Sequence, residues 1–310
     1  MGRETDHGRV TETSTSGTAT WSLRDGIPTR FLVYGMIRED GRLLSSDLFP
    51  VADACGLTRD QVRSCLRRLV DDGHFTKAGQ GRDTQYMPSG TGLAPVSEAM
   101  DRYRLAVHQD AAGQGWDRSW HLIGFAIPEA QRSARSAFRD WLLRRGAAAI
   151  QGGLYVSPHP WEEEVRQVAA EFGLADYLVC ATTDNLEVGG VTDPRALAGE
   201  LWPLDEIGGR YKAFIDRFSD VPEALSAMDT RNETLTNSEF LAGAFAMLVD
   251  LYDCQTGDPL LPPELVGTQW PGRKARALAA QCRKMGLDRR EDPASPVPFP
   301  AIDHLDLGLL

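Results

Sequence analysis

Arg59, Gln61, Arg63 and Ser64 open an amphipathic segment, and Arg67 and Arg68 follow one turn later. An arginine fork matches the O6 and N7 edge of guanine, and a glutamine amide matches N6 and N7 of adenine. Arginines set further along such a segment suit phosphate oxygens. Lys77, Gln80 and Arg82 come next in a Gly-rich stretch, and basic side chains on a loop tip suit the sugar-phosphate backbone or the minor groove. The chemistry on offer is groove recognition of double-stranded DNA.

The elements that would position these groups are written locally. Ile27, Phe31, Leu32, Tyr34 and Ile37 recur near helical spacing, so a helix is predicted over Ile27–Arg38. Ser45-Ser46-Asp47 is an N-cap cluster for a short second helix over Asp47–Ala54, with Pro50 tolerated in its first turn. Gly56 then breaks the chain. Thr58-Arg59-Asp60-Gln61 fits the capping box, in which Thr58 accepts from a first-turn N–H and Gln61 reaches back. The helix over Arg59–Asp72 puts Val62, Leu66, Leu69 and Val70 on one stripe and the arginines opposite, and Gly73 is its expected left-handed cap. Phe75–Ala78 and Thr84–Met87 read as strands around the turn residues Gly79-Gln80-Gly81. A lone Arg-rich helix is as well explained by a solvated face. Helix, turn, capped helix and basic-tipped hairpin in succession are more specific, and predict a winged helix-turn-helix over residues 25–90 with Thr58 at the head of the reading helix.

The whole chain carries a formal charge of −11 over 310 residues, which at first argues against nucleic acid. The reading segment differs locally. Across Thr58–Gly90, Arg59, Arg63, Arg67, Arg68, Lys77 and Arg82 outnumber Asp60, Asp71, Asp72 and Asp83. The five cysteines are scattered without a CxxC pair or zinc-finger spacing, so buried thiols are expected, with no metal and no cofactor. No apolar run approaches the roughly 18–20 residues that span a bilayer, so no membrane association is expected. Met1–Thr20 is polar without a signal-peptide core, so residues 1–24 read as a disordered arm and the protein as cytoplasmic.

Downstream, residues 91–117 read as a linker containing a helix from Ala99 to Gln109. Strand Trp120–Ile127, helix Glu129–Arg145, strands Ala148–Gln151 and Leu154–Ser157, helix Trp161–Phe172 and strand Tyr177–Thr182 follow in βαββαβ order. That order predicts a ferredoxin-like unit over residues 118–190. Helices Pro194–Leu201, Leu204–Phe218, Thr236–Tyr252 and Arg273–Met285 predict a helical unit over residues 191–286. A rigid Pro-rich loop runs through Asp258–Pro263 and Trp270-Pro271-Gly272, and residues 287–310 read as a flexible tail. The fold class expected is α+β. Arg132, Arg135 and Arg139 on the Glu129–Arg145 helix are candidates for an anionic effector, against the plainer reading of a solvated face balanced by Glu129 and Asp140.

The chain resembles the PaaX-type repressors of phenylacetate catabolism from Pro28 to about Met285. The motifs are Leu57-Thr58-x-x-x-Val62-Arg63-x-x-Leu66-x-Arg68-Leu69-Val70, then Phe125-x-Ile127-Pro128-Glu129 and Gly153-Leu154-Tyr155-Val156-Ser157-Pro158, then Leu201-Trp202-x-Leu204, Tyr211-x-x-Phe214, Asp258-Pro259-x-Leu261-Pro262 and Trp270-Pro271-Gly272. The resemblance implies a homodimer on a palindromic operator, released by a small effector typified by an aryl-CoA thioester, and adds Trp270 to the effector candidates. Asp253-Cys254-Gln255-Thr256-Gly257 departs from the basic, apolar run of that family, which opens the effector to other pathway-derived molecules. Two rivals stand beside this reading. The central unit also resembles CRISPR-associated small nucleases, but Phe125-Ala126-Ile127-Pro128 carries no acidic residue for metal-dependent cleavage, and no HExxH, GxSxG or Walker pattern occurs, so no catalytic residues are expected. The other rival is a winged helix that contacts protein only.

Overall fold

The computed structural model describes residues 26–113 and 115–304. The arm expected over residues 1–24 lies outside them. The chain is α+β, with strands gathered in two separate antiparallel sheets among twelve helices of the described residues.

The N-terminal part runs α1 (Thr29–Gly35), β1 (Leu43–Leu44), α2 (Ser45–Ala54), α3 (Arg59–Asp71), β2 (Phe75–Ala78) and β3 (Gln85–Pro88). The strands order β1-β3-β2, with Leu43 opposite Tyr86 and Phe75 opposite Pro88. The capping box forms as read: Thr58 Oγ1 accepts from the Gln61 N–H at 3.3 Å, and the Thr58 N–H donates to Gln61 Oε1 at 2.8 Å. Gly73 closes the helix at φ +74, and the His74 N–H donates to the Leu69 carbonyl at 2.9 Å. Helix α1 is shorter than its apolar periodicity suggested. Ile27 is buried from outside the helix, and Pro28 is the N-cap.

Helix α4 (Ala94–Ala112) begins well before Ala99, because Pro95 fits the first turn, where its missing N–H costs nothing. Then come β4 (Trp120–Phe125), α5 (Arg132–Arg144), β5 (Ala148–Gln151), β6 (Leu154–Ser157), α6 (Glu162–Glu171) and β7 (Leu178–Thr183). These strands order β5-β6-β4-β7, antiparallel throughout. Alternation along the strands gives the sheet two apolar faces. Ile123, Phe125 and Tyr155 pack under α5 and α6. Trp120, Leu122 and Val156 face the other way, towards Leu197, Trp202, Leu261 and Leu265 of the C-terminal part, with Trp120 and Trp202 stacked 6.3 Å apart.

The C-terminal part comprises α7 (Pro194–Leu201), α8 (Leu204–Phe218), α9 (Val221–Thr230), α10 (Asn237–Gln255), α11 (Pro263–Val266) and α12 (Pro271–Asp288). Helix α10 crosses into the N-terminal core, where Phe240, Leu241, Phe245 and Val249 join Leu32, Leu48 and Leu66. Helices α9 and α11 were not expected, and the flexible tail needs correction. From residue 287 to 304 the chain packs back. Arg290 holds the carbonyls of Pro293 and Ser295, the Phe299 N–H donates to the Gly35 carbonyl at 2.7 Å, and Arg283 grips Asp303 at 2.5 Å. Val297 and Phe299 are packed against the N-terminal core. Aromatic and aliphatic residues within a Pro-rich run supply enough burial to order it.

A buried polar joint ties α4 to the rest. The Asp110 carboxylate receives both arms of the Arg276 fork, at 2.6 and 2.8 Å, and both side chains are 5% exposed. Arg276 also reaches Tyr211 Oη, which donates to Asp258 Oδ2 at 2.6 Å. Asp258 Oδ1 accepts from the Leu260 N–H at 2.8 Å, holding Leu260 at φ +52. Arg102 of α4 donates to the Asp258 carbonyl, and to that of Arg144 at the end of α5. The Asp258–Pro262 segment is thus the meeting point of α4, α8, α12 and the central sheet.

His159 belongs to this joint, with its Nε2–H directed at the Pro259 carbonyl at 3.3 Å. Burial pushes its pKa down to about 4, against the opposing pull of the backbone carbonyls of Pro259 and Leu260. In the unfolded chain the ring protonates near pH 6.5. Between those values the unfolded state binds the extra proton, so stability is present above about pH 6.5 and is lost as pH falls towards 4. The ring is only half-buried by surface area, and solvent at its edge softens the penalty, so the loss is about 1–3 kcal/mol. Urea midpoints measured from pH 7 to pH 4 should fall in the wild type, and His159→Gln should flatten that part of the curve. An unchanged slope would remove His159 from the joint's acid response.

Candidate nucleic-acid interface

Helix α3 is held by its apolar stripe. Val62, Cys65, Leu66 and Leu69 are buried, while Arg59, Gln61, Arg63, Arg67 and Arg68 are exposed and Ser64 is half-exposed. The segregation follows from sequence spacing and leaves the arginines free of the core. Arg59 and Arg63 both lie over the Phe49 ring of α2, with guanidinium carbons 5.8 and 5.7 Å from its centre. Each meets a carboxylate, Arg59 with Asp53 at 3.2 Å and Arg63 with Asp60 at 3.4 Å. Exposed pairs of this kind contribute about 0–1 kcal/mol, so a phosphate or a guanine edge can displace them. Arg68 Nε lies 3.4 Å from the Ser64 carbonyl, back along its own helix.

The structure gives Gln61 a second task. Its Oε1 accepts from both the backbone and the hydroxyl of Thr58. A bidentate adenine contact needs that oxygen as well as the amide nitrogen, so Gln61 offers a base only its donor while the cap is closed. Thr58 is likewise occupied in capping.

Lys77 and Gln80 are exposed on the hairpin, and Arg82 lies in the 3-10 turn Gly81–Asp83 between its strands. The turn is shaped by Gly79 at φ +79, where a Cβ would stand 2.5 Å from the Asp83 carbonyl oxygen. Lys77 pairs across the sheet with Tyr86. Phe75, the first residue of the hairpin, is buried with its ring 5.6 Å from that of Tyr34, which ties the hairpin to α1 and α3.

The effector candidates do not come together. Arg132 and Arg135 pair with Glu129 at 3.6 and 3.0 Å, and Arg139 pairs with Asp140 at 2.8 Å. Trp270 belongs to another core, with its ring 6.2 Å from that of Tyr211, and borders a hollow with Lys212, Arg273 and Lys274. These pairings are those of the plainer alternative, a solvated face balanced by Glu129 and Asp140.

Cys55, Cys65, Cys254 and Cys282 are buried and Cys180 is half-exposed, all as free thiols. Burial pushes the thiols of Cys55, Cys254 and Cys282 up to about 12, which leaves them unreactive. Among the described residues no cluster of His, Cys, Asp and Glu is arranged to hold a metal, and no helix is long and apolar enough to cross a membrane.

A family model described as the PaaX protein central Cas2-like domain matches residues 113–198, and one described as the PaaX-like protein C-terminal domain matches residues 202–292. The chain is 27% identical over 242 residues to the transcriptional repressor PaaX of Escherichia coli strain K12, an alignment covering 77% of this chain and 72% of that protein. Among solved structures it is similar to the uncharacterized protein Rv0674 from Mycobacterium tuberculosis, with a TM-score of 0.48 and 20% identity over 79% of this chain and 89% of that one.

Proposed function

The chain belongs to the PaaX family of transcriptional regulators, and on that premise we propose that it is a cytoplasmic DNA-binding repressor without enzymatic activity. Residues 26–90 act as a winged helix-turn-helix. Helix α3 enters the major groove, and the hairpin of β2 and β3 is the wing. The observation that carries this reading is a capped, core-anchored helix that turns a row of arginines outward beside a hairpin bearing Lys77, Gln80 and Arg82. The central unit acts as a ferredoxin-like βαββαβ scaffold, supported by its strand order β5-β6-β4-β7. Two copies bind a palindromic operator, since one half-site buries little surface and a two-fold protein suits a two-fold site. A small effector releases the complex.

Fluorescence anisotropy on a fragment of the chain's own upstream region tests this. Arg63→Ala should cost about 1–3 kcal/mol and relax base preference, because the guanidinium reads an edge. Lys77→Ala should weaken every sequence alike and lower the salt slope by about 1. Identical behaviour of the two variants would overturn the groove assignment. Absence of binding at low salt would leave α3 as a protein-contact surface.

A further inference from the structure

A cavity of about 780 Å³ lies where the N-terminal part meets the helical part. Its walls come from α1, α4, α9, α10, α12 and the packed segment 299–303, and are built chiefly of apolar side chains such as Phe31, Met100, Leu225, Met247 and Tyr252. That volume and that lining, at a joint between units, are those of a small-molecule site.

The charges on its wall decide what class of molecule fits. Arg283 is held by both oxygens of Asp303, at 2.5 and 2.7 Å. Glu239 is engaged by the backbone and hydroxyl of Thr236 in the cap of α10. The other charged residues of the wall are two cations, Arg30 and Lys284, and two anions, Asp253 and Asp288. The wall has no excess of cations, and a polyphosphate tail needs one.

The geometry points to an uncharged, largely apolar small molecule as the ligand of this cavity. It thereby names the effector class for the repressor proposed above, and its regulatory meaning rests on that reading. Occupancy has a direct route to the DNA-binding face. Phe31 on the wall packs against Phe299 and Tyr252, with ring centres 4.9 and 5.5 Å apart. Tyr34, on the same helix, packs against Phe75 at the root of the hairpin. A ligand that fits one spacing of α1 and α10 better than another shifts the population of reading heads by its difference in affinity.

The probe is N-phenyl-1-naphthylamine, a neutral dye that fluoresces on entering apolar surroundings, titrated into the full chain without DNA. One dye should bind per chain. Ala99→Phe and Ala280→Phe, which fill the cavity from α4 and from α12, should each weaken binding at least tenfold with the far-ultraviolet circular dichroism unchanged. Phenylacetyl-CoA at equal concentration should not displace the dye. Three results overturn the inference: dye binding indifferent to both substitutions, displacement by the thioester, or a site that opens only when residues 305–310 are removed, which would make that segment the occupant. Promoter-fragment binding is measured separately. Its failure would remove the regulatory reading while leaving the dye result to stand or fall alone.

Discussion

Arg276→Ala should lower folding stability by about 3–5 kcal/mol, because it leaves Asp110 as an uncompensated charge in the interior. Both side chains are 5% exposed and meet through a two-pronged contact at 2.6 and 2.8 Å. The pair lies between α4 and α12, away from bulk water. Arg102, the other cation of the joint, is directed at backbone carbonyls of Asp258, Arg144 and Gln255. Tyr211 is a donor already committed to Asp258, and burial pushes its phenol well above the usual range, so it stays protonated. The complementary experiment separates charge from shape. Replacing both partners, as Arg276→Met with Asp110→Leu, removes the stranded charge and should recover most of the loss, since buried ion pairs often do no better than apolar residues of similar volume. Urea denaturation of the wild type, both single variants and the double variant measures the coupling directly. A single variant within 1 kcal/mol of wild type would mean that the pair is not desolvated and that α4 is held by packing alone.

The contrast between α3 and α4 shows what was readable in the chain and what was not. Helix α3 carries its own punctuation, Thr58 and Gln61 at one end and Gly73 at the other, and its spacing sorts apolar from basic residues. Its extent and exposed face therefore follow from local sequence. Helix α4 has no side-chain cap, and its importance lies in Arg102 and Asp110, whose partners lie between 42 and 166 residues away. Nothing in a charge at position 110 announces an arginine at position 276. The same holds for α9, which buries only Val221 and Leu225, and for the segment after Asp288, whose composition resembles a loose tail while Phe299 is anchored by α1. The outward placing of the arginines on α3 was legible from their spacing. The double use of Gln61 was not, because the same residue satisfies two patterns and only the folded chain shows which one holds its oxygen. The cavity was invisible for a further reason: its wall is assembled from six separated stretches, each of which reads as ordinary core.

Gly146→Ala should cost about 3 kcal/mol or more, from two independent sources. Gly146 sits at φ +98, where an L side chain is strained by about 1–2 kcal/mol. A Cβ there would also stand 2.8 Å from Pro259 Cα and 3.0 Å from the Pro259 carbonyl oxygen. Both are backbone atoms of a segment fixed by Asp258 and two further prolines, so neither can swing aside as a side-chain tip would, and overpacking of that kind typically adds about 1–3 kcal/mol. The strain is transmitted because the Gly146 carbonyl accepts from Trp202 Nε1 at 2.9 Å, so moving Gly146 disturbs the Trp202 ring stacked on Trp120. Moving Pro259 instead pulls Asp258 from Tyr211 and loosens the joint at α4. Gly152→Ala is the matched control. A Cβ at Gly152 would have no neighbour within 4 Å, and the residue has no positive φ, so its substitution should stay within about 0.5 kcal/mol of wild type. If the two alanines proved equally mild, the contact between the central sheet and the Asp258–Pro262 segment would be yielding, and a joint that yields there could not transmit the position of α4 to the rest of the chain.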